Sequence, residues 1–173
     1  MLEAIFILLA ILAAVLLYAA SRPDTFHIER SAAIAAPPDK VFALINDFHG
    51  FNSWNPWLRK DPETKESYSG AASGKGAAYA WESKTVGIGR MEIIESQPAS
   101  NVKIKLDFFK PFEAHNTAEF ALMPKDGGTR VTWSMYGAST LMSKVMGLFM
   151  SMDKMVGKDF EAGLANMKEI AER

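Results

Sequence analysis

The side chains that could carry acid–base or metal chemistry in this sequence are few and widely spaced. The three histidines, His27, His49 and His115, do not lie at spacings typical of metal ligands, and the chain contains no cysteine. Asp47 and His49 are close in sequence, but side chains two positions apart on a helix point in different directions. A solvated helix end is therefore the favoured interpretation of that pair. The sequence predicts no metal site and no cofactor.

Two glycine-rich stretches have only a superficial likeness to nucleotide-binding loops. In "GAASGKG" the spacing before Lys75 is too short for a phosphate loop, and Gly76 stands where Ser or Thr would bind magnesium. The stretch that begins at Gly87 lacks the third glycine of a dinucleotide fingerprint. Both stretches are predicted to be hairpin turns.

Four polar side chains on predicted strands are candidates for a polar group inside the protein: Glu82, Arg90, Glu92 and His115. Catalysis on an apolar substrate would need at least one titratable side chain in the interior with a shifted pKa. Charged side chains on strands more often face water. The sequence leaves the facing of these four side chains open.

The composition excludes one class of partner and limits the size of the fold. The chain has 173 residues, of which 49% are hydrophobic, and its formal net charge is -1. A near-neutral chain lacks the basic surface that nucleic-acid binding requires. The length suits one domain with a well-buried core and an additional segment.

The additional segment is the apolar N-terminal stretch. Residues 4–20 ("AIFILLAILAAVLLYAA") contain no charge, proline or glycine. As a helix they would extend about 25 Å, the short end of a bilayer crossing. A cleaved signal peptide would need a basic region before the apolar one, which the first three residues do not supply. A buried core helix would usually show a polar stripe, so an uncleaved anchor is favoured over both alternatives.

The anchor is predicted over residues 1–21, with a linker over 22–25. Arg22 and Arg30 follow the apolar segment and no basic residue precedes it. The positive-inside rule then places the following domain on the cytoplasmic side of a membrane that the chain crosses once.

The remaining chain, residues 26–173, shows strand patterns over most of its length. A first strand is predicted in "FHIERSAAI", where Arg30 interrupts an otherwise apolar face. Six further strands follow from Glu63 onward, and "NVKIKLDFF" alternates most regularly. This order predicts an antiparallel meander with one solvated and one buried face.

Three helical segments are predicted around the strands. Pro38 suits the first turn of a helix, and Pro56 predicts the end of a second short helix near Trp54. Apolar residues recur at helical spacing between Leu141 and Arg173, with a break near Ser151. A bent sheet around a long helix leaves a space that is either packed or hollow.

The order of elements and several phrases together resemble the START/Bet v-like superfamily, called SRPBCC, and within it the polyketide cyclase/dehydrase and lipid-transport group. The resemblance covers nearly everything from Phe26 to Arg173. The phrases that carry it are "AAPPDKVFALINDFHGFNSWNPW", "YSGAASGKGAAYAWES", "VGIGRMEIIESQP", "LDFFKPFEAHNTAEFAL", "GTRVTWSMYG" and "GKDFEAGLANMKEI".

This resemblance implies the α+β helix-grip fold, in which a curved antiparallel sheet wraps around a long C-terminal helix over a hydrophobic cavity. It also implies a binder of lipids, sterols, polyketides or similar apolar molecules. The family shares no catalytic signature, so no catalytic residue is carried over. The side chains expected to line the cavity are Trp57, Tyr79, Trp81, Met91, Ile104, Leu106, Phe108, Phe120, Trp133, Met135, Phe149, Met152 and Val156.

Three hypotheses of function follow. The first is a membrane-anchored domain that binds, and in one version transports, a hydrophobic small molecule or lipid. The second is a cyclase- or dehydratase-type lyase or isomerase on an apolar polyketide-like substrate, and the third is a protein-interaction module. The binding domain is favoured over the enzyme, while the ligand and the oligomeric state are left open. Trp54 is expected to fill the core, and Trp57 suits the core and the cavity mouth equally.

Overall fold

A computed structural model describes residues 1–148 and 151–173 of the chain. The helices within them are α1 (Leu2–Ala20), α2 (Pro38–Ala43), α3 (Phe48–Trp54), α4 (Leu141–Met146) and α5 (Met152–Ala171), with a short 3-10 helix at Leu58–Lys60. The strands are β1 (Thr25–Ile34), β2 (Lys65–Gly70), β3 (Ala77–Ser83), β4 (Gly87–Gln97), β5 (Asn101–Lys110), β6 (Ala114–Lys125) and β7 (Gly128–Ala138).

The described strands form one antiparallel sheet in the order β1-β7-β6-β5-β4-β3-β2. β2 to β7 are the predicted meander, and β1 closes the order by pairing with β7 along its full length. The register between β4 and β5 shifts at Ile88/Gly89 and again at Ile93/Glu95. Such bulges bend a sheet, and this sheet curves around α5. The predicted helix-grip fold is confirmed.

α5 packs closely on the concave face of the sheet. The rings of Trp133 on β7 and Phe160 on α5 are stacked, with centroids 3.9 Å apart. A Cβ at Gly163 would lie only 2.8 Å from Trp133 Cζ3. Glycine costs about 1 kcal/mol relative to alanine inside a helix, and at this position it allows the helix to approach the indole.

Arg30 interrupts the apolar face of β1 because it binds α5. Its Nε donates to Glu161 Oε1 at 2.8 Å, and its Nη1 donates to Asp153 Oδ1 at 3.0 Å. A Cβ at Gly157, between those two acidic residues on the helix, would overlap the guanidinium. The pattern that looked irregular in the sequence is therefore an ion-paired contact between strand and helix.

The two short helices begin and end as their sequence predicts. α2 has Pro38 in its first turn. α3 begins after Asp47, whose carboxylate accepts from the backbone N–H groups of His49 and Gly50. This cap is worth about 1 kcal/mol. α3 ends at Trp54, two residues before Pro56. Asp47 is thus a helix cap, as the solvated-end interpretation of the Asp47 and His49 pair expected.

The C-terminal helical segment is divided as predicted. α4 ends at Met146, and α5 begins after Ser151, whose hydroxyl accepts from the backbone N–H of Lys154 at 3.3 Å. Phe149, one of the predicted cavity residues, lies outside the described residues.

α1 is long and apolar enough to cross a membrane, although a signal sequence near the N-terminus has the same character. Ala19, close to its end, is its buried residue, and the helix packs against α4. The assignment of residues 1–21 as an anchor, 22–25 as a linker and 26–173 as the ligand-binding domain stays a prediction.

Candidate ligand cavity

An apolar cavity of about 160 Å³ lies between the concave face of the sheet and α5. Its wall comes from α3, β3 to β7 and α5, from the segment that follows α3, and from the loops before β2 and between β3 and β4. The lining residues are Phe51, Asn55, Trp57, Leu58, Thr64, Tyr79, Trp81, Val86, Met91, Ile104, Leu106, Phe108, Ala118, Phe120, Trp133, Met135, Val156 and Phe160.

Eleven of the thirteen side chains predicted from the sequence lie on this wall. Met152 does not, because it is the first residue of α5 and remains 37% exposed beyond the end of the cavity. Of the lining residues that the sequence reasoning missed, two carried a usable signal. Ala118 shares a strand face with Phe120, and Phe160 follows Val156 by one helical turn.

The four polar candidates, whose facing the sequence left open, lie outside the cavity. Glu82 follows Trp81 on β3, while Arg90 and Glu92 flank Met91 on β4. Successive side chains on a strand point to opposite faces, so the inward indole and thioether place these charges on the outer face. There Arg90 donates to Glu92 Oε2 at 2.9 Å.

The fourth candidate, His115, belongs to a cluster on the same outer face. His115 Nδ1 and Asp107 Oδ1 are 2.7 Å apart, and Lys105 Nζ lies 3.0 Å from the other carboxylate oxygen. The hydrogen bond to Asp107 raises the pKa of His115. Burial alone would raise the pKa of Asp107, but the hydrogen bonds from His115 and Lys105 outweigh it, and that pKa is lowered.

The His115 and Asp107 pair should make stability depend on pH. The folded pKa of His115 lies above its ordinary value of 6.5, so its contribution is complete below pH 6.5 and is lost as pH rises through the folded pKa. The folded pKa of Asp107 lies below its ordinary value of 3.8, so its contribution is complete above pH 3.8. The free energies of unfolding in urea of the wild type and His115→Gln should therefore differ most between those two values and converge as pH rises above the folded pKa of His115. An equal difference at every pH would contradict this assignment.

The amide and hydroxyl side chains of Asn55 and Thr64 on the cavity wall already have partners. The Asn55 amide donates to Asn52 Oδ1 at 3.0 Å and accepts from the backbone N–H of Trp57 at 3.0 Å. The Thr64 hydroxyl donates to the backbone of Asp61 at 2.7 Å. Among the described residues, the wall contains no Asp, Glu, His, Lys or Arg.

The two tryptophans that flank Asn55-Pro56 have different environments. Trp54 is fully buried away from the cavity, and its indole N–H donates to Leu44 O at 2.8 Å. Trp57 lies on the wall, and its N–H donates to Asp159 Oδ2 at 3.0 Å. Trp54 is a core residue, as expected, and Trp57 joins the cavity to the polar surface of α5.

Two other indoles on the wall have no acceptor. The Nε1 atoms of Trp81 and Trp133 are buried and have no hydrogen-bond partner among the described residues. Buried donors are nearly always paired, and an unpaired one costs about 1–3 kcal/mol. These two N–H groups are therefore the unsatisfied polar atoms of an otherwise apolar site.

A curved antiparallel sheet that encloses an apolar cavity with its C-terminal helix defines a helix-grip domain. The family model for "Polyketide cyclase / dehydrase and lipid transport" matches residues 25–172, and the chain belongs to this family. No curated protein matches the sequence.

Solved structures share the fold at low sequence identity. A protein from Chromobacterium violaceum is 14% identical with a TM-score of 0.62, and the match covers 88% of this chain and 99% of that one. The Aha1 dimer from Colwellia psychrerythraea is 16% identical with a TM-score of 0.59, covering 85% and 96%. The di-domain ARO/CYC StfQ from the steffimycin biosynthetic pathway is 11% identical with a TM-score of 0.61, covering 86% and 51%. These likenesses show the fold.

Proposed function

We propose that the protein binds a hydrophobic small molecule or lipid in the cavity between the sheet and α5, beside the membrane in which α1 is anchored. The observation that carries this proposal is the apolar wall itself. A core of this size normally packs to a density that leaves few voids larger than a water molecule. A cavity of about 160 Å³ is retained although it weakens the fold.

The size of the cavity limits what it holds. Ligand pockets are usually about 300–1,000 Å³, so the volume present is roughly half of the smallest of these. An engineered apolar cavity of about 150 Å³ binds benzene. The site therefore accepts a small ring system or the end of a longer chain, and a larger ligand extends beyond the mouth.

The unpaired indoles indicate the kind of ligand. Trp81 and Trp133 offer N–H donors in an apolar site, and a carbonyl, ether or hydroxyl oxygen on the ligand would supply the missing acceptor. Burial raises the pKa of the Tyr79 phenol, so this side chain stays neutral. The favoured ligand is apolar, uncharged and carries an oxygen acceptor.

Binding of two probes of equal shape tests this proposal. Fluorene is a hydrocarbon, and fluorenone adds one carbonyl oxygen. The assay uses residues 21–173, which contain all seven strands of the described sheet and every residue of the cavity wall, after circular dichroism has shown that this segment is folded. Both probes should quench tryptophan fluorescence at saturable sites, and fluorenone should bind more tightly. Failure of both probes to bind would overturn the proposal.

The variant Trp81→Phe should distinguish the two probes. One neutral hydrogen bond contributes about 0.5–1.5 kcal/mol, so fluorenone should lose roughly 2- to 10-fold in affinity by the usual conversion. Fluorene should change little. Trp57→Phe is the matched control, because the N–H of Trp57 already has Asp159 as its acceptor, and its effect on the two probes should be the same. Equal losses for both probes in Trp81→Phe would contradict an acceptor-bearing ligand.

The residues that line the cavity also bear on the enzyme hypothesis. A cyclase or dehydratase needs a group that moves a proton at the substrate. The four side chains considered for this role face outward, and the described wall contains no Asp, Glu, His, Lys or Arg that could move a proton near neutral pH. Binding is therefore the function that the geometry supports best.

A further inference from the structure

The end of α1, several exposed apolar side chains and the mouth of the cavity lie at one end of the sheet. β1 begins there at Thr25, which pairs with Ala138 at the end of β7. The β3–β4 turn and the β5–β6 turn lie at this same end, because their flanking residues continue the register from strand to strand. We call this the α1 end, since only residues 21–24 separate it from α1.

α1 and α4 are joined at the α1 end. The backbone N–H of Ser139 donates to Asp24 O at 2.8 Å, and the Asp24 carboxylate is paired with Lys144 on α4. The hydrogen bond with Lys144 lowers the pKa of Asp24. Ala19 near the end of α1 is buried, and α1 packs on α4. These contacts fix the exit of the apolar helix beside the domain.

Exposed large apolar side chains lie at this same end of the domain. The apolar rim consists of Phe109, Phe112, Leu141, Met142, Met146 and Met155. The first two come from the end of β5 and the turn after it, the next three from α4, and the last from the first turn of α5. α5 begins at the α1 end, because its Asp153 pairs with Arg30 while Lys168 reaches Ala33 near the other end of β1.

The cavity reaches the same end of the domain. Val86 in the β3–β4 turn, Phe108 near the end of β5 and Val156 in the first half of α5 all line it. The deeper wall at Trp133 and Phe160 is closed by stacked rings. A ligand too large for the cavity would therefore protrude toward the rim.

We propose that the α1 end docks on the surface of the bilayer, with the apolar rim among the lipid headgroups and the mouth of the cavity facing the membrane. This inference rests on the proposed function and identifies the source of the ligand as the bilayer itself. The occupant is a membrane because α4, which supplies half of the rim, packs against α1, and α1 has the length and composition for a bilayer crossing. Flexible methionines suit a surface that contacts disordered lipid.

Site-directed spin labelling of the full chain tests the orientation, since the absence of cysteine permits single labels. The variants Phe112→Cys, Met142→Cys and Met155→Cys report on the rim. Met123→Cys is the matched control, because Met123 is an equally exposed apolar side chain, 64% accessible, near the β6–β7 turn at the opposite end. Each labelled protein is reconstituted in vesicles of phosphatidylcholine and phosphatidylglycerol.

Oxygen partitions into the bilayer and a nickel chelate stays in water, so their relative collision rates measure depth. The three rim labels should favour oxygen strongly, and Met123→Cys should favour the chelate. Chelate-accessible rim labels would overturn the docking. The docking would also be overturned if the rim labels were shielded from the chelate and short distances were measured between labels on two copies of the chain. A second copy of the chain would then be the occupant.

Failure of this inference and failure of the proposed function are distinguishable. If residues 21–173 bind fluorenone while the rim labels of the full chain remain in water, the cavity is a ligand site but its mouth does not face the membrane. If the rim labels are buried in lipid and neither probe binds, the docking stands without the ligand.

Discussion

Replacing Ala118 with phenylalanine is expected to abolish ligand binding while the protein remains folded. Ala118 lies on β6 in the middle of the cavity wall, in register with Ile104 on β5 and Met135 on β7. A phenyl ring at this position enters the cavity instead of an already packed core. Its insertion should therefore cost less than the roughly 1–3 kcal/mol of an overpacked site. The affinity for fluorenone should fall by about tenfold or more, each tenfold being about 1.4 kcal/mol.

Ala121→Phe is the matched control for this experiment. Ala121 lies on the same strand three residues later, on the outer face, between Asn101 and Thr132 of the neighbouring strands. The Ala121→Phe variant adds the same side chain outside the cavity. Its affinity for fluorenone and its free energy of unfolding in urea should therefore match those of the wild type. Unchanged fluorenone binding in folded Ala118→Phe would show that the probe binds elsewhere.

The second large effect is expected on stability, from Trp54→Ala. The indole is fully buried and forms edge-to-face contacts with Trp133 and Phe120, with centroids 5.4 and 5.9 Å away. Its removal leaves a void and also leaves the carbonyl of Leu44 without its donor. Tryptophan-to-alanine changes in a core cost about 3–5 kcal/mol, so the free energy of unfolding in urea should fall by roughly that amount.

Two further variants make this result interpretable. Trp54→Phe keeps the ring contacts and loses the hydrogen bond, so a smaller decrease is expected, and this variant serves if Trp54→Ala does not fold. Trp57→Ala removes a side chain that is only partly buried, because it lies on the cavity wall. It should destabilise less than Trp54→Ala. A reversed order would show that Trp57, and not Trp54, holds the two short helices on the sheet.

The alternation within the strands was enough to predict that the four polar candidates face outward, although the sequence analysis left their facing open. The strands, the short helices and the antiparallel meander followed from the regular pattern of β5, the proline positions and the helical spacing of α5, all of which are local signals, and the family resemblance added the helix-grip fold. The same alternation excludes Arg90 and Glu92 from the interior once Met91 is placed there, and it excludes Glu82 once Trp81 is placed there. His115 is opposite Asp107, which neighbours the cavity residue Phe108 and so faces outward.

Other features depend on contacts between distant segments and leave no local signal. Arg30 is 131 residues from Glu161, and nothing in β1 identifies its partner on α5. The close approach at Gly163 depends on the position of Trp133 in another element. The cavity volume depends on how every lining side chain packs, so its small size could not be predicted from residue types.

The stacked pair of Trp133 and Phe160 belongs to the core and to the cavity wall at once. A ligand that contacts these rings binds the native state only, so folding and occupancy are thermodynamically linked. A ligand at about 100 times its dissociation constant would add roughly 2.7 kcal/mol to the free energy of unfolding. If the cavity binds such a ligand, its supply will set the fraction of copies that unfold, and copies with an empty cavity will unfold first.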